Sequence, residues 1–270
     1  MSFKGQTAWI TGASSGIGAA LARALSKDGA RLVLSGRNVA ALEAVAADCR
    51  ESLVLPFEST DNAAIAPAVE RAWDWSGGID LLVNNAGISQ RSLAVDTDFA
   101  VYERIIGVDL LAPIALTQAL LPRMVARGSG RIAMISSIAG KVGVPFRTAY
   151  CAAKFGLAGY GDALRAEVAH LGLKVHNIYP GSIRTDVSRN ALTADGSARG
   201  VSDKAIDNGI DPDLAVRQMI DGMLVGEREI IVAEGAELAM GEARRTPEAL
   251  LDQMGGMMAA GYAERMKAES

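Results

Sequence analysis

A tyrosine and a lysine four residues apart form the pair in this sequence best suited to proton transfer. Tyr150 and Lys154 lie in an Ala-rich stretch with a helical pattern, and residues four apart share one face of a helix. A neighbouring ammonium stabilises a phenolate, so such a phenol can exchange a proton near neutral pH. The apolar run 132–135 ends in Ser136 and Ser137, where a hydroxyl could hold a carbonyl oxygen against the phenol. These residues predict acid–base chemistry on a carbonyl or alcohol.

A glycine-rich turn near the start of the chain has the pattern of a phosphate-binding loop. The apolar residues 7–11 are followed by Gly12, Gly16 and Gly18, and a helical pattern comes next. Glycines let the backbone turn tightly and let a pyrophosphate approach the helix N-terminus. The spacing is G-x-x-x-G-x-G, and alone it could be a plain strand–helix turn. Together with the Tyr–Lys pair, it predicts a dinucleotide site.

The end of the second predicted strand indicates which dinucleotide is bound. Residues 31–35 form this strand, and Gly36 and Arg37 follow it. An acid here would bind the ribose 2′-hydroxyl, whereas an arginine attracts a 2′-phosphate. We therefore expect NADP(H) to be preferred over NAD(H). The alternative is that Arg37 is a solvated loop residue.

The amino-acid composition of the chain argues against several classes of function. The chain has 270 residues, half of them hydrophobic, and a net charge of −4. It has no long Lys/Arg run, which argues against nucleic acid or an anionic membrane as partner. We expect no signal peptide, because the first residues lack a charged segment followed by an apolar one; no apolar run reaches about 20 residues, and two cysteines suggest a reducing compartment. We expect a cytoplasmic protein without a membrane span. Because His170 and His176 show no ligand spacing, we expect no metal.

The positions of the motifs are set by alternating strand and helix patterns. Such alternation predicts an α/β fold, a single doubly wound Rossmann-type domain over 1–270 with a seven-stranded parallel sheet and helices on both faces. The predicted strands are 7–11, 31–35, 53–57, 79–83, 131–135, 174–179 and 229–233. Residues 186–211 lose periodicity, and we interpret them as a mobile substrate loop. We expect residues 236–270 to form a helical extension, packed on the core or a partner, or serving as a Met-rich substrate lid.

The chain up to about residue 235 resembles the short-chain dehydrogenase/reductase family. The motifs that carry the resemblance are T-G-A-S-S-G-I-G at 11–18, N-N-A-G at 84–87, S-S at 136–137, Y-C-A-A-K at 150–154 and P-G-S-I-R-T at 180–185. The sequence is also similar to the branch with vertebrate hydroxysteroid-type and retinoid-type dehydrogenase/reductases. The family pattern places the catalytic serine thirteen residues before the tyrosine, which selects Ser137.

The resemblance implies a role for each motif. Tyr150 would be the general acid or base, Lys154 would assist it and hold the nicotinamide ribose, and Ser137 would hydrogen-bond the substrate oxygen. Tyr150 and Lys154 would also contact the cofactor, as would Gly12, Ser14, Ser15, Gly16, Ile17, Gly18, Arg37, Glu58, Asn85, Ala86, Gly87, Pro180, Gly181, Ile183 and Thr185. A homodimer or homotetramer is expected, with the small residues of 151–161 packing against a second copy.

One position departs from the family pattern. Asp109 occupies the place of a usual asparagine whose backbone carbonyl holds a relay water. An ionised Asp109 near Lys154 would partly cancel its charge and oppose ionisation of the phenol, so we expect a shifted pH profile. Asp109 also leaves open a cofactor-binding sensor or scaffold without turnover. The substrate is expected in an apolar pocket formed by Ile88, Val95, Val142, Val144, Phe146, Val187 and Leu192.

Overall fold

Seven parallel strands form one sheet at the centre of the computed structural model, which describes residues 2–262. The strands are β1 Thr7–Thr11, β2 Arg31–Ser35, β3 Ser52–Val54, β4 Leu81–Asn84, β5 Gly130–Ile135, β6 Leu173–Pro180 and β7 Glu229–Val232. Their spatial order is β3-β2-β1-β4-β5-β6-β7, and the seven parallel strands in one sheet confirm the prediction from the alternating sequence pattern. The order reverses between β1 and β4, and in open parallel sheets ligands bind outside the carboxyl ends of the strands at such a point.

Helices cover both faces of the sheet. They are α1 Gly16–Lys27, α2 Val39–Ala47, α3 Asn62–Ser76, α4 Phe99–Ile106, α5 Ala112–Arg127, α6 Thr148–Val168, α7 Lys204–Asp207, α8 Pro212–Val225, α9 Gly235–Ala243 and α10 Glu248–Ala259. Successive β1 side chains enter different cores: Ile10 joins the cluster with Leu21, whereas Trp9 joins the one with Leu120. Because strand side chains alternate between faces, two apolar cores on a continuously apolar strand require helices on both sides.

The sequence pattern predicts a helix over 109–127, but in the structure this helix begins ten residues earlier, at Phe99. Val101 and Ile105 lie four apart in α4 and are buried, and a π-helical turn, Gly107–Leu111, joins α4 to α5. Such π turns insert one extra residue per turn and re-aim the side chains there. The turn places Asp109 in the interior, where it is fully buried.

The same continuous helix, Phe99–Arg127, has 29 residues and is long and apolar enough to cross a membrane by length and composition alone. Core helices of soluble proteins can have the same length and apolar composition. In the fold this helix packs on α3 and α6 and carries Asp109, which is ion-paired to Lys154 of α6.

The segment 186–211 contains short regular elements that its sequence pattern did not predict. Leu192 forms isolated β-bridges with Gln90 and Ala198, and the short helix α7 follows. The extension after β7 forms α9 and α10, and α10 packs against α6. Leu251 is its buried anchor, whereas Met254 is exposed. The part of the predicted tail helix over 263–270 lies outside the described residues.

Candidate active site

A cleft of about 440 Å³ lies at the carboxyl ends of the central strands. It brings together nearly all the residues that the sequence motifs indicated: Gly12, Ser14, Ser15, Gly16, Ile17, Arg37, Glu58, Asn85, Ala86, Gly87, Asp109, Ser137, Tyr150, Lys154, Pro180, Gly181, Ile183 and Thr185. The exception is Gly18, which does not line the cleft. A Cβ at Gly18 would collide with the Gly12 carbonyl oxygen and the Asn85 amide, so Gly18 acts by letting the turn pack closely.

The glycine-rich turn presents a helix N-terminus to the cleft. Helix α1 begins at Gly16, and within residues 2–262 the side chain of its N-cap, Ser15, makes no capping hydrogen bond. The first N–H groups of an α-helix have no partner inside the helix and attract anions. Gly12 and Gly16 have φ values of +63° and +52°, which side-chain-bearing residues rarely adopt. The turn therefore has the shape and donors to hold a pyrophosphate.

Thr11, which the motif reading did not single out, connects this turn to the N-N-A-G motif. Its Oγ1 accepts hydrogen bonds from the backbone N–H groups of Asn85 (3.0 Å) and Ala86 (3.1 Å). The Asn85 side chain returns a bond of 2.9 Å to the Thr11 carbonyl. A Cβ at Gly12 would lie 2.8 Å from the Ala86 Cα. Two loops from neighbouring strands are thus fixed against each other, and together they form one wall of the cleft.

Lys154 is held by a buried ion pair with Asp109. Its Nζ lies 3.1 Å from Asp109 Oδ2 and donates to the Ile135 carbonyl at 2.9 Å. Asp109 Oδ1 accepts from the Ile88 N–H at 2.8 Å. Lys154 is only 4% exposed and Asp109 is 0% exposed, so the two charges interact in a poorly solvated environment. The structure thus brings Asp109 and Lys154 together, as the family alignment implied.

The two ionisable groups of this pair influence each other's protonation. Burial raises the pKa of the Asp109 carboxyl, against the lowering effect of the Lys154 ammonium. Burial by itself lowers the pKa of Lys154, but the charges of Asp109 and Tyr150 outweigh it and the pKa is raised. We therefore treat Lys154 as an ammonium at neutral pH.

Tyr150 lines the cleft beside this ion pair. The Lys154 Nζ is 5.6 Å from the centroid of the half-buried Tyr150 ring. Ser137 Oγ accepts from the Ala139 N–H at 3.1 Å and donates to the Pro180 carbonyl at 3.3 Å. The Ser136 hydroxyl is instead buried and bonded to the Lys154 carbonyl at 2.9 Å. Ser136 thus ties β5 to α6, and the half-buried Ser137 is the better placed to meet a ligand.

Arg37 lies at the end of β2, as predicted, and is largely exposed. Its Nη1 is 3.6 Å from Glu58 Oε2, and Glu58 also accepts from the hydroxyl of Thr60 at 3.0 Å. A solvent-exposed ion pair at this separation contributes little to stability. Arg37 can therefore turn toward an anionic group in the cleft at small cost.

Several cleft residues come from parts of the chain that the sequence motifs did not specify. Arg104 of α4 and Val108 of the following π-helical turn line the cleft, as do Asn190 and Ile206 of segment 186–211. Spacing four apart on one helix was the available signal for Arg104 and Val108. Ile88, Val187 and Leu192 line the cleft as predicted, whereas Val95, Val142, Val144 and Phe146 do not. Val95 and Phe146 are solvent-exposed because their loops turn outward.

The arrangement fits a dinucleotide and supports proton transfer. The glycine-rich turn supplies anion donors, Arg37 supplies a cation at the far end, and Tyr150 with Lys154 supplies a proton-transfer pair. Within residues 2–262, no three His, Cys, Asp or Glu side chains are grouped so that they could hold a metal ion.

Comparison with known proteins shows which family the chain is similar to. The pattern of the family described as short chain dehydrogenase matches residues 6–196. Dehydrogenase/reductase SDR family member 7B of Bos taurus is 40% identical over 235 residues, which cover 83% of this chain and 72% of that protein. Dehydrogenase/reductase SDR family member 7 of Homo sapiens is 42% identical over 196 residues, covering 69% and 58%. A solved metagenomic short-chain oxidoreductase in complex with NADP is 32% identical, with a TM-score of 0.71 and coverage of 86% and 98%.

Proposed function

Because the chain belongs to the short-chain dehydrogenase/reductase family and is an NAD(P)-dependent oxidoreductase, we propose that it uses NADP(H) to interconvert a small-molecule carbonyl and the corresponding alcohol, with Tyr150 as general acid and base. The observation that carries the proposal is the position of Tyr150 in the cleft beside the buried Lys154–Asp109 pair. A phenol beside a cation, in a cleft that also has dinucleotide-binding features, is suited to deliver a proton to an oxygen.

The chain's own residues account for the handling of the proton. When bound, the nicotinamide supplies or accepts the hydride. Ser137 would donate a hydrogen bond to the substrate oxygen and Tyr150 would donate its proton to the same oxygen during reduction. In the oxidation direction, the Tyr150 phenolate would accept the alcohol proton. Lys154 favours that phenolate electrostatically, while Asp109 keeps the Lys154 ammonium charged and oriented.

The preference for NADP(H) rests on Arg37 and on the absence of an acid at the end of β2. Arg37 follows Gly36 directly and lines the cleft. A guanidinium can make paired, charge-assisted hydrogen bonds to a phosphate. Glu58 is the nearby acid, and its Oε2 lies 3.6 Å from Arg37 Nη1. Because this exposed ion pair is weak, Arg37 can leave Glu58 and bind a ribose 2′-phosphate instead.

Self-association would use the exposed side of α6. Ala152, Phe155, Gly159 and Ala163 follow one another at spacings of three and four, so they share one face, and all are exposed. Small residues on this face allow two helices to approach closely, and Phe155 adds apolar area. A homodimer through this face is the simplest arrangement, and a tetramer would need a second face.

The test is a comparison of two tyrosine variants. Wild-type protein, Tyr150→Phe and Tyr102→Phe are assayed for NADPH consumption against a panel of ketones and quinones, and NADPH binding is measured by fluorescence. The Tyr102 hydroxyl bonds Thr148 at 2.7 Å and does not line the cleft, so Tyr102→Phe is the matched control. We expect Tyr150→Phe to lose about 10²-fold or more in turnover while it still binds NADPH.

Two outcomes would count against this function. If Tyr150→Phe retained full turnover, the assignment of the proton donor would be wrong. If the wild-type protein bound NADPH but turned over no member of the panel, the alternative of a cofactor-binding sensor would be favoured instead.

A further inference from the structure

Three chain segments that surround the substrate end of the cleft meet at one carboxylate. Asp203 Oδ2 lies 2.7 Å from Arg91 Nε and 3.4 Å from Arg147 Nη2, and Asp203 Oδ1 pairs with Arg199. Arg91 belongs to the segment after β4, Arg147 immediately precedes α6, and Arg199 and Asp203 lie in segment 186–211. We call these four residues the Asp203 cluster.

The Asp203 carboxylate does not cap helix α7, although Asp203 occupies the N-cap position. Asp203 is the N-cap residue of α7, yet within residues 2–262 its side chain makes no capping bond, although aspartate is a preferred N-cap. Its backbone N–H instead donates to the buried Ser188 hydroxyl at 2.9 Å. The Asp203 carboxylate is therefore committed to contacts between segments.

Backbone hydrogen bonds join segment 186–211 to the segment after β4 at a residue that lines the cleft. The Leu192 N–H donates to the Ser89 carbonyl at 2.7 Å, and the Arg91 N–H donates to the Leu192 carbonyl at 2.8 Å. Leu192 lines the cleft, as does Ile206 of α7, three residues after Asp203. The positions of both side chains therefore depend on how segment 186–211 sits on the segment after β4.

The connection also reaches the start of the catalytic helix. Gln90, which is fully buried, accepts from the Ala149 N–H at 2.8 Å, one residue before Tyr150. Its amide nitrogen donates to the hydroxyls of Ser92 and Thr97, each at 3.1 Å. Gln90 thus joins the segment carrying Arg91 to the first turn of α6.

We propose that Asp203 is a positioning residue for the substrate pocket: its carboxylate holds three mutually repelling arginines together and so sets the places of Leu192 and Ile206 relative to Tyr150. The inference rests on the proposed function for its kinetic consequences. Arg91 is only 9% exposed, and a buried guanidinium needs a counter-charge. With Asp203 neutral, three positive groups would face each other unbalanced, and the segments would separate.

The experiment compares Asp203→Asn with Asp207→Asn, a matched change on exposed Asp207 of the same helix. For the full chain with NADPH, we expect Asp203→Asn to raise the KM for a carbonyl substrate at least tenfold, with the NADPH dissociation constant changed less than twofold. Hydrogen–deuterium exchange supplies a readout that needs no turnover. Peptides covering 188–203 should exchange at least tenfold faster in Asp203→Asn, while peptides from β1 keep their protection.

A second pair of variants separates charge from simple loss of structure. Asp203→Glu keeps the charge and should retain slow exchange over 188–203. Adding Arg199→Gln to Asp203→Asn removes one repelling charge and should restore part of the protection and of the KM. If Asp203→Asn and Asp207→Asn behave alike in exchange, or if Asp203→Glu exchanges as fast as Asp203→Asn, the proposal is overturned. A wild-type chain without turnover would refute the enzymatic function, while exchange would still decide the role of Asp203.

Discussion

Replacing Asp109 by asparagine tests the electrostatics of the site most directly. Asn keeps an oxygen that can accept from the Ile88 N–H, now 2.8 Å from Asp109 Oδ1, but it removes the charge 3.1 Å from the Lys154 Nζ. Lys154 keeps its bond to the Ile135 carbonyl. The variant therefore changes the charge at the site with little change of shape.

The expected magnitude follows from the distances. At 5.6 Å and an effective dielectric constant of about 20, the Lys154 ammonium and a charge on the Tyr150 ring attract each other by about 3 kcal/mol. The Asp109 carboxylate, 3.1 Å from the same ammonium, opposes part of that attraction. Its removal therefore strengthens the electrostatic support that Lys154 gives to a charge on Tyr150.

The sign of the shift is fixed by the charge that is lost. Without Asp109 the phenolate is favoured, so the limb where carbonyl reduction falls with rising pH should move to lower pH. The rising limb of alcohol oxidation should move the same way. In the wild type, the Asp109 charge helps to raise the pKa of Lys154. Asp109→Asn removes this support, so the Lys154 ammonium of the variant loses its proton at a lower pH than in the wild type. The stability that depends on this ammonium is then also lost at a lower pH.

The assay is the pH dependence of kcat/KM for wild type, Asp109→Asn and the control Asp98→Asn. Asp98 is an exposed residue at the start of α4 whose side chain makes no capping bond within residues 2–262. Thermal unfolding of each variant shows that the fold is kept. An Asp109→Asn profile that coincides with the wild type, or that moves to higher pH, would refute the reasoning.

Three further predictions concern the cofactor, the turn and the oligomer. Arg37→Ala should weaken NADPH binding about tenfold while NADH binding is kept, as measured by titration of each cofactor; equal losses for both would contradict the 2′-phosphate role. Gly18→Ala should destabilise the fold by roughly 1–3 kcal/mol in denaturant unfolding, because its Cβ would meet the Gly12 carbonyl; Gly143→Ala, where nothing lies within 4 Å, is the control. Phe155→Glu, at a side chain 38% exposed, should convert a dimer to monomers in light scattering; an unchanged mass would exclude this face of α6.

The fold was largely predictable because its signals are local. A buried parallel strand is a short apolar run, and β1 and β2 begin and end where the sequence pattern predicted. The signal failed at two boundaries: β3 is shorter than predicted, and the helix that carries Asp109 starts at Phe99. Periodicity does not mark the exact ends of an element, and the π turn has no sequence signature of its own.

The candidate site, like the fold, could be predicted only where its signals are local. Tyr150 and Lys154 were predictable because residues four apart on one helix must share a face. The ordered contacts of segment 186–211 were not, since they depend on Asp203 meeting Arg91, which is 112 residues away in the chain. Polar residues without periodicity predict only a loop. The contacts of this loop depend on partners in distant segments, which a local sequence pattern does not contain.

The sequence by itself determined the proton-transfer pair, the glycine-rich turn and the order of strands and helices, because each depends on residues close together in the chain. Only the tertiary structure decided that Asp109 is paired with Lys154 in the interior, and that Ser136 ties β5 to α6 while Ser137 remains beside the cleft. The physical reason is burial. A charge or hydroxyl has a defined partner only when packing excludes water, and packing is set by segments that the sequence pattern describes one at a time.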